Sequence, residues 1–504
     1  MASGWPGQVW AARPGGRIWA VCIAAGLAVA LGLQPFRLWP LAILGLAAGL
    51  AVIGRQSGPR QAAWAGFAFG LGHFALALGW IVEPFLVDAA RYGWMAPFAV
   101  LFMAAGMALF WAVAAGVGSM APRRMPGLVA AFGAAELARG YVLTGFPWAQ
   151  PGQVLIDTPL VQLAAWVGPG GLTAALIAVA GLLAMARPVP VLAGVALLAG
   201  GWAAGSARLT RPEPQAPGAV LRLVQPNAAQ NLKWDPDLAA TFFDRLLSET
   251  AAAPARGAPR PDLVIWPETA LPYLVEQSPE LIGIITAAAQ GSAVALGRQR
   301  VHDGRGWNSL TVYDPSGATL ASYDKHHLVP FGEYIPLGDL AYDLFGLKAF
   351  AAQTGRAYTA GPGSRVLALG PRLGTALPLI CYEAVFPQDV RSAPARPDWI
   401  LQITNDAWFG SFSGPFQHAA QSQLRAVESG LPLIRVGNTG VTEVIDARGR
   451  VLASLPFGTQ GHLDAALPGA LPPTLYWRWG EWPLLVWLAG LATLAMAVRR
   501  RPGA

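Results

Sequence analysis

Long apolar stretches separated by short polar breaks fill the first two hundred residues, and the rhythm then changes. Runs at 17–33, 38–54, 62–81, 94–118, 127–147, 160–186 and 188–205 are apolar all round, and one more lies at 482–498. A helix needs about 20 apolar residues to cross a bilayer. The pattern therefore predicts seven closely spaced membrane helices and one isolated one, about eight in all. Between them short β-rich runs such as "AVLRLVQPN", "PDLVIWPE", "LGTALPLICYE" and "DWILQITNDAWF" alternate with helical candidates at 236–251, 278–290 and 415–430. Turn signals such as Asp314-Pro315-Ser316-Gly317 divide them. Strands and helices alternating in this way predict a layered α/β domain. The expected organisation is a transmembrane domain at 1–210, an α/β domain at 218–468 and a terminal membrane helix at 482–498.

Composition agrees with the pattern. Hydrophobic residues make up 54% of the 504 and charged residues 12%, with 20 tryptophans and a mean hydropathy of +0.42. That charged share is about half of what soluble domains carry. The net charge of +7 is small for this length and is read through topology, with no nucleic-acid partner implied. Arg13 and Arg17 precede the first run, Arg55 and Arg60 follow the second, Arg123 and Arg124 follow the fourth, Arg187 follows the sixth, and Arg499, Arg500 and Arg501 follow the last. All fall on one side if both termini are cytoplasmic, which puts the α/β domain outside. The first run leads straight into further spans, without a small-residue cleavage site, and is not read as a cleavable signal. Glu136 and Arg139, three residues apart in the fifth run, share a helical face. They are either an internal ion pair or a contact for a polar lipid head.

Two cysteines, Cys22 in an apolar run and Cys381 after "TALPLI", leave no basis for a disulfide scaffold. Three reactive side chains stand where strand-like runs end: Glu268 after "DLVIWP", Lys325 after "TLASYD", and Cys381. Loops at strand ends are where α/β domains gather catalytic groups. A thiol needs a base to become a nucleophile near neutral pH. A carboxylate in an apolar site can serve as that base, and an ammonium can hold an oxyanion. Each residue alone has an ordinary structural reading. His326 and His327 raise a Cys–His or metal alternative, but the remaining histidines are scattered without metal-ligand spacing.

Four longer stretches carry a resemblance. "WPETA", "DKHHLVPFGEYIPL", "LPLICYEAVFP" and "ITNDAWFGSFSGPFQHAAQSQLRAVESGLPLIRVGNTG" resemble the carbon–nitrogen hydrolase (nitrilase) superfamily, and in detail its membrane-bound apolipoprotein N-acyltransferase family. "ELARGYVLTGFPW" looks like that family's fifth-helix region. The resemblance implies a nitrilase-like αββα sandwich on the periplasmic side of the bacterial inner membrane, and a Glu–Lys–Cys triad at Glu268, Lys325 and Cys381. It implies that Cys381 takes an acyl chain from a phospholipid, preferably phosphatidylethanolamine, as a thioester. The chain then passes to the α-amine of a lipoprotein's diacylglyceryl-cysteine. A thioester retains the transfer energy, so no ATP, metal or organic cofactor is expected, and the enzyme is expected to act as a monomer. Glu333 matches the family position that supports Lys325, and Trp234 matches a mobile-arm tryptophan. Tyr382, Glu383, Asn405 and Trp408 are expected around the pocket, whereas Arg425 and Glu428, one helical turn apart, read as a structural pair.

Two rivals share some of these features. A membrane-tethered amidase would use the same triad with water as acceptor, but a soluble amide needs no membrane helices. A transporter with an outer accessory domain predicts polar residues through several spans. Here His73, Glu136 and Arg139 are the main cases, which disfavours it.

Overall fold

The computed structural model describes residues 15–233, 235–336, 338 and 357–497. The chain divides into two compact units, Met1–Thr210 together with Trp479–Ala504, and Arg211–Arg478.

The first unit is helical. Helices Gly16–Ala30, Trp39–Gly54, Pro59–Ala77, Ala96–Ser119, Arg124–Arg139, Ala164–Ala184, Pro188–Leu209 and Trp482–Met496 follow the apolar runs. Among the described residues, Ala89–Ser119, Pro159–Ala184 and Pro188–Leu209 are long and apolar enough to cross a membrane. A fourth span results if Pro59–Ala77 and Gly79–Leu86, bent by 59°, count as one. Gly16–Ala30, Trp39–Gly54 and Trp482–Met496 are apolar but only 15, 16 and 15 residues long, short of the about 20 that a straight crossing takes. Among the described residues, length and apolarity by themselves thus support three to four of the eight expected spans.

The run at 127–147 is shortened for a local reason. Its helix stops at Arg139 and is followed by Gly140, Gly145 (φ 80°) and Pro147. The Arg139 guanidinium donates to the carbonyls of Phe146 at 2.5 Å and Trp148 at 2.8 Å, pinning the segment that follows the helix against its last turn. Its other contact is the Glu136 carboxylate at 2.6 Å, which also accepts from Trp111 Nε1 at 2.7 Å. Both charged side chains are buried. The pair is internal and does not face lipid.

Small residues let these helices approach closely. A methyl on Gly26 would lie 2.1 Å from the Phe69 carbonyl oxygen, and one on Gly72 would lie 2.2 Å from that of Ile23. Only glycine fits at either crossing of Gly16–Ala30 and Pro59–Ala77.

The second unit is built on two six-stranded sheets among the described residues. The strands are β1 (Val220–Gln225), β2 (Leu263–Ile265), β3 (Ala293–His302), β4 (Arg305–Tyr313), β5 (Thr319–Asp324), β6 (Leu367–Ala368), β7 (Thr375–Ile380), β8 (Trp399–Thr404), β9 (Leu433–Gly437), β10 (Thr442–Ile445), β11 (Val451–Leu455) and β12 (Gly461–Ala466). One sheet has the order β12-β1-β2-β3-β4-β5 and the other β11-β10-β9-β8-β7-β6. Pairing is parallel within β1-β2-β3 and within β7-β8-β9, and antiparallel elsewhere.

Parallel strands covered on both faces read as unbroken apolar runs, which explains "DLVIW" and "TALPLI". In the first sheet Val224, Val264, Val294 and Leu296 pack against Phe243, Leu246, Ile282 and Ile285 of helices Pro236–Ala251 and Glu280–Ala289. In the second, Leu377, Leu379, Ile400 and Leu433 pack with Ala426 of helix Gly414–Ser429. The remaining faces meet each other, with β1 against β9 and β4 against β7. The layers are helix, sheet, sheet, helix. Each fully buried aliphatic side chain contributes about 1.5–3 kcal/mol, so these two apolar clusters hold the layers together.

Candidate active site

Glu268, Lys325 and Cys381 converge from three strands. Lys325 follows β5 directly, Cys381 follows β7 directly, and Glu268 lies three residues beyond β2. All three are buried. Lys325 Nζ is 3.7 Å from Glu268 Oε1 and 2.8 Å from Glu333 Oε2. Burial alone would lower the Lys325 ammonium, but the carboxylates of Glu333 and Glu268 outweigh it and hold its pKa above the usual range. These carboxylates favour the ammonium form of Lys325. Cys381 is the opposite case. Burial first, and Glu268 second, push its thiol well above the ordinary value against the pull of Lys325. At rest this side chain is held as a thiol, and a thiol attacks only once a base takes its proton.

Cys381 occupies a sharp strand-to-helix turn. It has φ 52° and opens the short helix Cys381–Val385. A non-glycine residue in that region costs about 1–3 kcal/mol and persists only where its surroundings enforce it. Glu383 supplies much of that enforcement. One of its oxygens accepts from Ile380 N at 2.7 Å, and the other from Tyr323 Oη at 2.7 Å, His326 N at 2.9 Å and His327 N at 3.2 Å. A single carboxylate thus ties the residue before the nucleophile to the residue after Lys325. His418 Nε2 lies 3.1 Å from the Cys381 carbonyl oxygen on the other flank.

Glu268 is positioned atom by atom. Oε1 accepts from Asn308 Nδ2 at 2.6 Å, and Oε2 from the main-chain N of Asn405 at 2.8 Å. Asn308 Nδ2 also donates to Glu333 at 3.0 Å, and Val329 N donates to the other Glu333 oxygen at 2.9 Å. The turn carrying Glu268 lies tight against β3. A methyl on Gly297 would sit 2.4 Å from the Pro267 carbonyl oxygen and 2.6 Å from Glu268 Cα. Both neighbours are main chain, so Gly297→Ala is expected to displace Glu268 and leave the fold intact. A shift of about 1 Å at a catalytic group costs about 100-fold in rate. A normal thermal unfolding profile beside that loss of activity checks the expectation.

The other expected residues fall out as follows. Asn405 bridges Gln230 at 2.7 Å and Asn438 at 2.8 Å besides holding Glu268. Trp408 is half-buried in the short helix Asp406–Phe409. Tyr382 packs edge-on against Phe386 and His327 at centroid distances of 4.8 and 5.6 Å. Trp234 lies outside the described residues. Arg425 binds Glu428 at 2.9 Å and the Val385 carbonyl at 2.9 Å, bracing the helix behind the nucleophile.

His326 and His327 are held by acids. Burial opposes protonation of His326, but bonds to Asp389 and Glu383 raise it to about 10. His327 Nδ1 lies 2.9 Å from Asp389 and its ring stacks on Phe386 at 3.7 Å. Contributors that escaped sequence reading include Asn308, Gln230 and Thr404, the last a hydrogen-bond partner of the Cys381 thiol. Asn308 carried a usable signal, since it is an amide inside the apolar strand β4 and a buried amide needs partners.

A thiol, a carboxylate and a fixed ammonium in one desolvated place can attack a carbonyl and hold the resulting oxyanion. Comparison with known proteins agrees. A family model for the apolipoprotein N-acyltransferase N-terminal domain matches residues 25–182. A carbon-nitrogen hydrolase model matches residues 221–471. Curated apolipoprotein N-acyltransferases are similar over nearly their whole length. That of Bradyrhizobium diazoefficiens is 39% identical, covering 95% of this chain and 94% of its own. That of Caulobacter vibrioides is 39% identical over 92% and 91%, and that of Sinorhizobium fredii 38% over 84% and 85%. The similarity spans helical and sheet units alike, and the chain belongs to the apolipoprotein N-acyltransferase family.

Proposed function

We propose that this protein N-acylates lipoproteins by a two-step transfer in which Cys381 carries the acyl chain. The observation that carries this reading is the convergence of Glu268 and Lys325, 3.7 Å apart, with Cys381 on a strained turn at the end of β7. In the first step the Cys381 sulfur attacks an ester carbonyl of a phospholipid such as phosphatidylethanolamine while Glu268 takes the thiol proton. Lys325, with a main-chain N–H of the Cys381 turn, holds the oxyanion. The tetrahedral intermediate collapses to a thioester, and Glu268 returns the proton to the departing lysophospholipid alkoxide. In the second step the α-amine of a diacylglyceryl-cysteine attacks the thioester. Its proton passes through Glu268 to the leaving sulfur, which restores the thiol.

Fatty substrates call for entry from lipid, which suits a chain with membrane-crossing helices. We place the protein in a bacterial inner membrane as a monomer with eight spanning segments and cytoplasmic termini, the last in line with the flanking arginines. The α/β unit then works on the periplasmic side, as the catalytic domain 218–468.

Intact-mass spectrometry tests the chemistry. Purified protein incubated with phosphatidylethanolamine should gain one acyl mass, located at Cys381. That mass should be lost to a synthetic diacylated lipopeptide with a free α-amine far faster than to water. Discharge to water at the same rate would make the protein a hydrolase, and absence of any adduct would end the thioester reading.

A further inference from the structure

Lys233 is a buried ammonium that the mechanism above does not use. Its Nζ donates to Thr269 Oγ1 at 3.0 Å and to the Glu268 carbonyl oxygen at 3.3 Å. Thr269 has φ 44°, so the turn leaving Glu268 sits in a backbone region that non-glycine residues avoid. That turn is pressed onto β3 on one side, where Ala270 N donates to the Gly297 carbonyl at 2.9 Å. Lys233 secures another side. The same stretch of chain reaches the base a second time, because Gln230 accepts from Asn405, whose main-chain N donates to Glu268 Oε2. Residues 227–233 are themselves anchored, with Ala228 bonded in both directions to the Asn438 side chain at 3.0 and 2.8 Å.

We propose that Lys233 is a positioning residue for the base, holding the Glu268–Thr269 turn in its strained conformation and adding a second positive charge beside the Glu268 carboxylate. This rests on the acyl-transfer reading, which makes Glu268 the base. A purely structural lysine would be replaceable by an apolar side chain of similar length, since such swaps at buried charges are often neutral or stabilising.

The charge has a second consequence. Burial pulls the Lys233 ammonium down to about 8, although Glu268 pulls it up. Among the described residues Glu268 acts on it as a charge, and Thr269 supplies a hydroxyl contact. The groups around Glu268 are Lys325, Glu333 through Asn308, Asn405 and Cys381. Of these, Lys325 and Cys381 are held above their ordinary ranges, so neither supplies a titration near 8. Below that pH Lys233 is charged, and above it the charge is lost. Activity is therefore expected to decline as pH rises through about 8.

Lys233→Met and Lys233→Arg separate the roles. Single-turnover acylation of Cys381 should slow about 100-fold in Lys233→Met, the cost of a catalytic group misplaced by about 1 Å. Half-saturation with lipid and thermal unfolding should stay unchanged. Lys233→Arg should recover most of that loss and keep its rate above pH 8, because a guanidinium stays charged. Lys233→Met acylating at the wild-type rate with the same alkaline decline overturns the proposal. If Lys233→Met does not fold, the Lys233→Arg pH profile decides alone, and an alkaline limb identical to wild type counts against it. Iodoacetamide labelling of Cys381, followed by peptide mapping across the same pH range, needs no lipid. Should wild type form no thioester, the acyl-transfer reading falls, whereas equal labelling of wild type and Lys233→Met would sink the Lys233 proposal separately.

Discussion

Cys381→Ala is expected to abolish both the acyl adduct and lipoprotein acylation while the protein still inserts and folds. The sulfur is the atom to which the acyl chain would be bonded, and loss of a nucleophile typically costs more than about 10⁴-fold in rate. The structural cost is small. Alanine at this position removes one sulfur from a buried site, about 1 kcal/mol of apolar burial, and the strained turn keeps its braces at Glu383 and His418. The check is intact mass after incubation with phosphatidylethanolamine, alongside acylation of a diacylated lipopeptide. Full transfer activity in Cys381→Ala would mean that another residue is the nucleophile.

Glu268→Gln carries the second-largest expected effect, a fall in thioester formation of about 10²–10⁴-fold, the range for removing a general base. The geometry adds a reason beyond lost basicity. Both Glu268 oxygens face donors, Asn308 Nδ2 on one and Asn405 N on the other, with Lys325 also near. A glutamine offers one oxygen and one NH₂, so one donor must meet another donor. Lys325 loses one of the two carboxylates that hold its pKa up, although Glu333 still pairs with it at 2.8 Å. Rapid-quench measurement of the acyl-enzyme reads the loss, and wild-type thioester formation in Glu268→Gln would show that some other group accepts the thiol proton.

Much of this was visible in one dimension because the physics involved is local. The runs at 17–33, 38–54 and 188–205 reappear as Gly16–Ala30, Trp39–Gly54 and Pro188–Leu209. In each, a run that is apolar all round forms a helix. Helical candidates 236–251 and 278–290 became Pro236–Ala251 and Glu280–Ala289, each ended by a local break. The fifth run failed as a continuous helix because apolarity continues past Arg139 while helical backbone does not. Gly140, Gly145 and Pro147 mark that end in the sequence, whereas the Arg139 bonds to the Phe146 and Trp148 carbonyls that pin the following segment do not show in composition.

The site was legible in its reactive members and not in their supports. Glu268, Lys325 and Cys381 stood out because a titratable or nucleophilic side chain at the end of an apolar strand is uncommon. Asn308, Gln230, Thr404 and Lys233 sit far apart along the chain and touch Glu268, Asn405, Cys381 and the Glu268–Thr269 turn only after both sheets have formed. Glu383 was expected at the pocket for its place beside Cys381. Its actual work, joining Ile380 to His326 and His327, depends on the two sheets bringing the segments after β5 and β7 together.

By itself the amino-acid order determined which segments form apolar helices, which form strands and which three titratable side chains stand where strands end. Apolarity, period and residue chemistry act over a few neighbours, and they are written directly in the chain. The tertiary structure alone decided the aim of those groups and the direction in which Lys325 and Cys381 are shifted. An ammonium and a thiol both held above their ordinary pKa values, and a carboxylate gripped at both oxygens, all require burial beside partners tens to hundreds of residues away. Desolvation and Coulomb forces act through space rather than along the sequence.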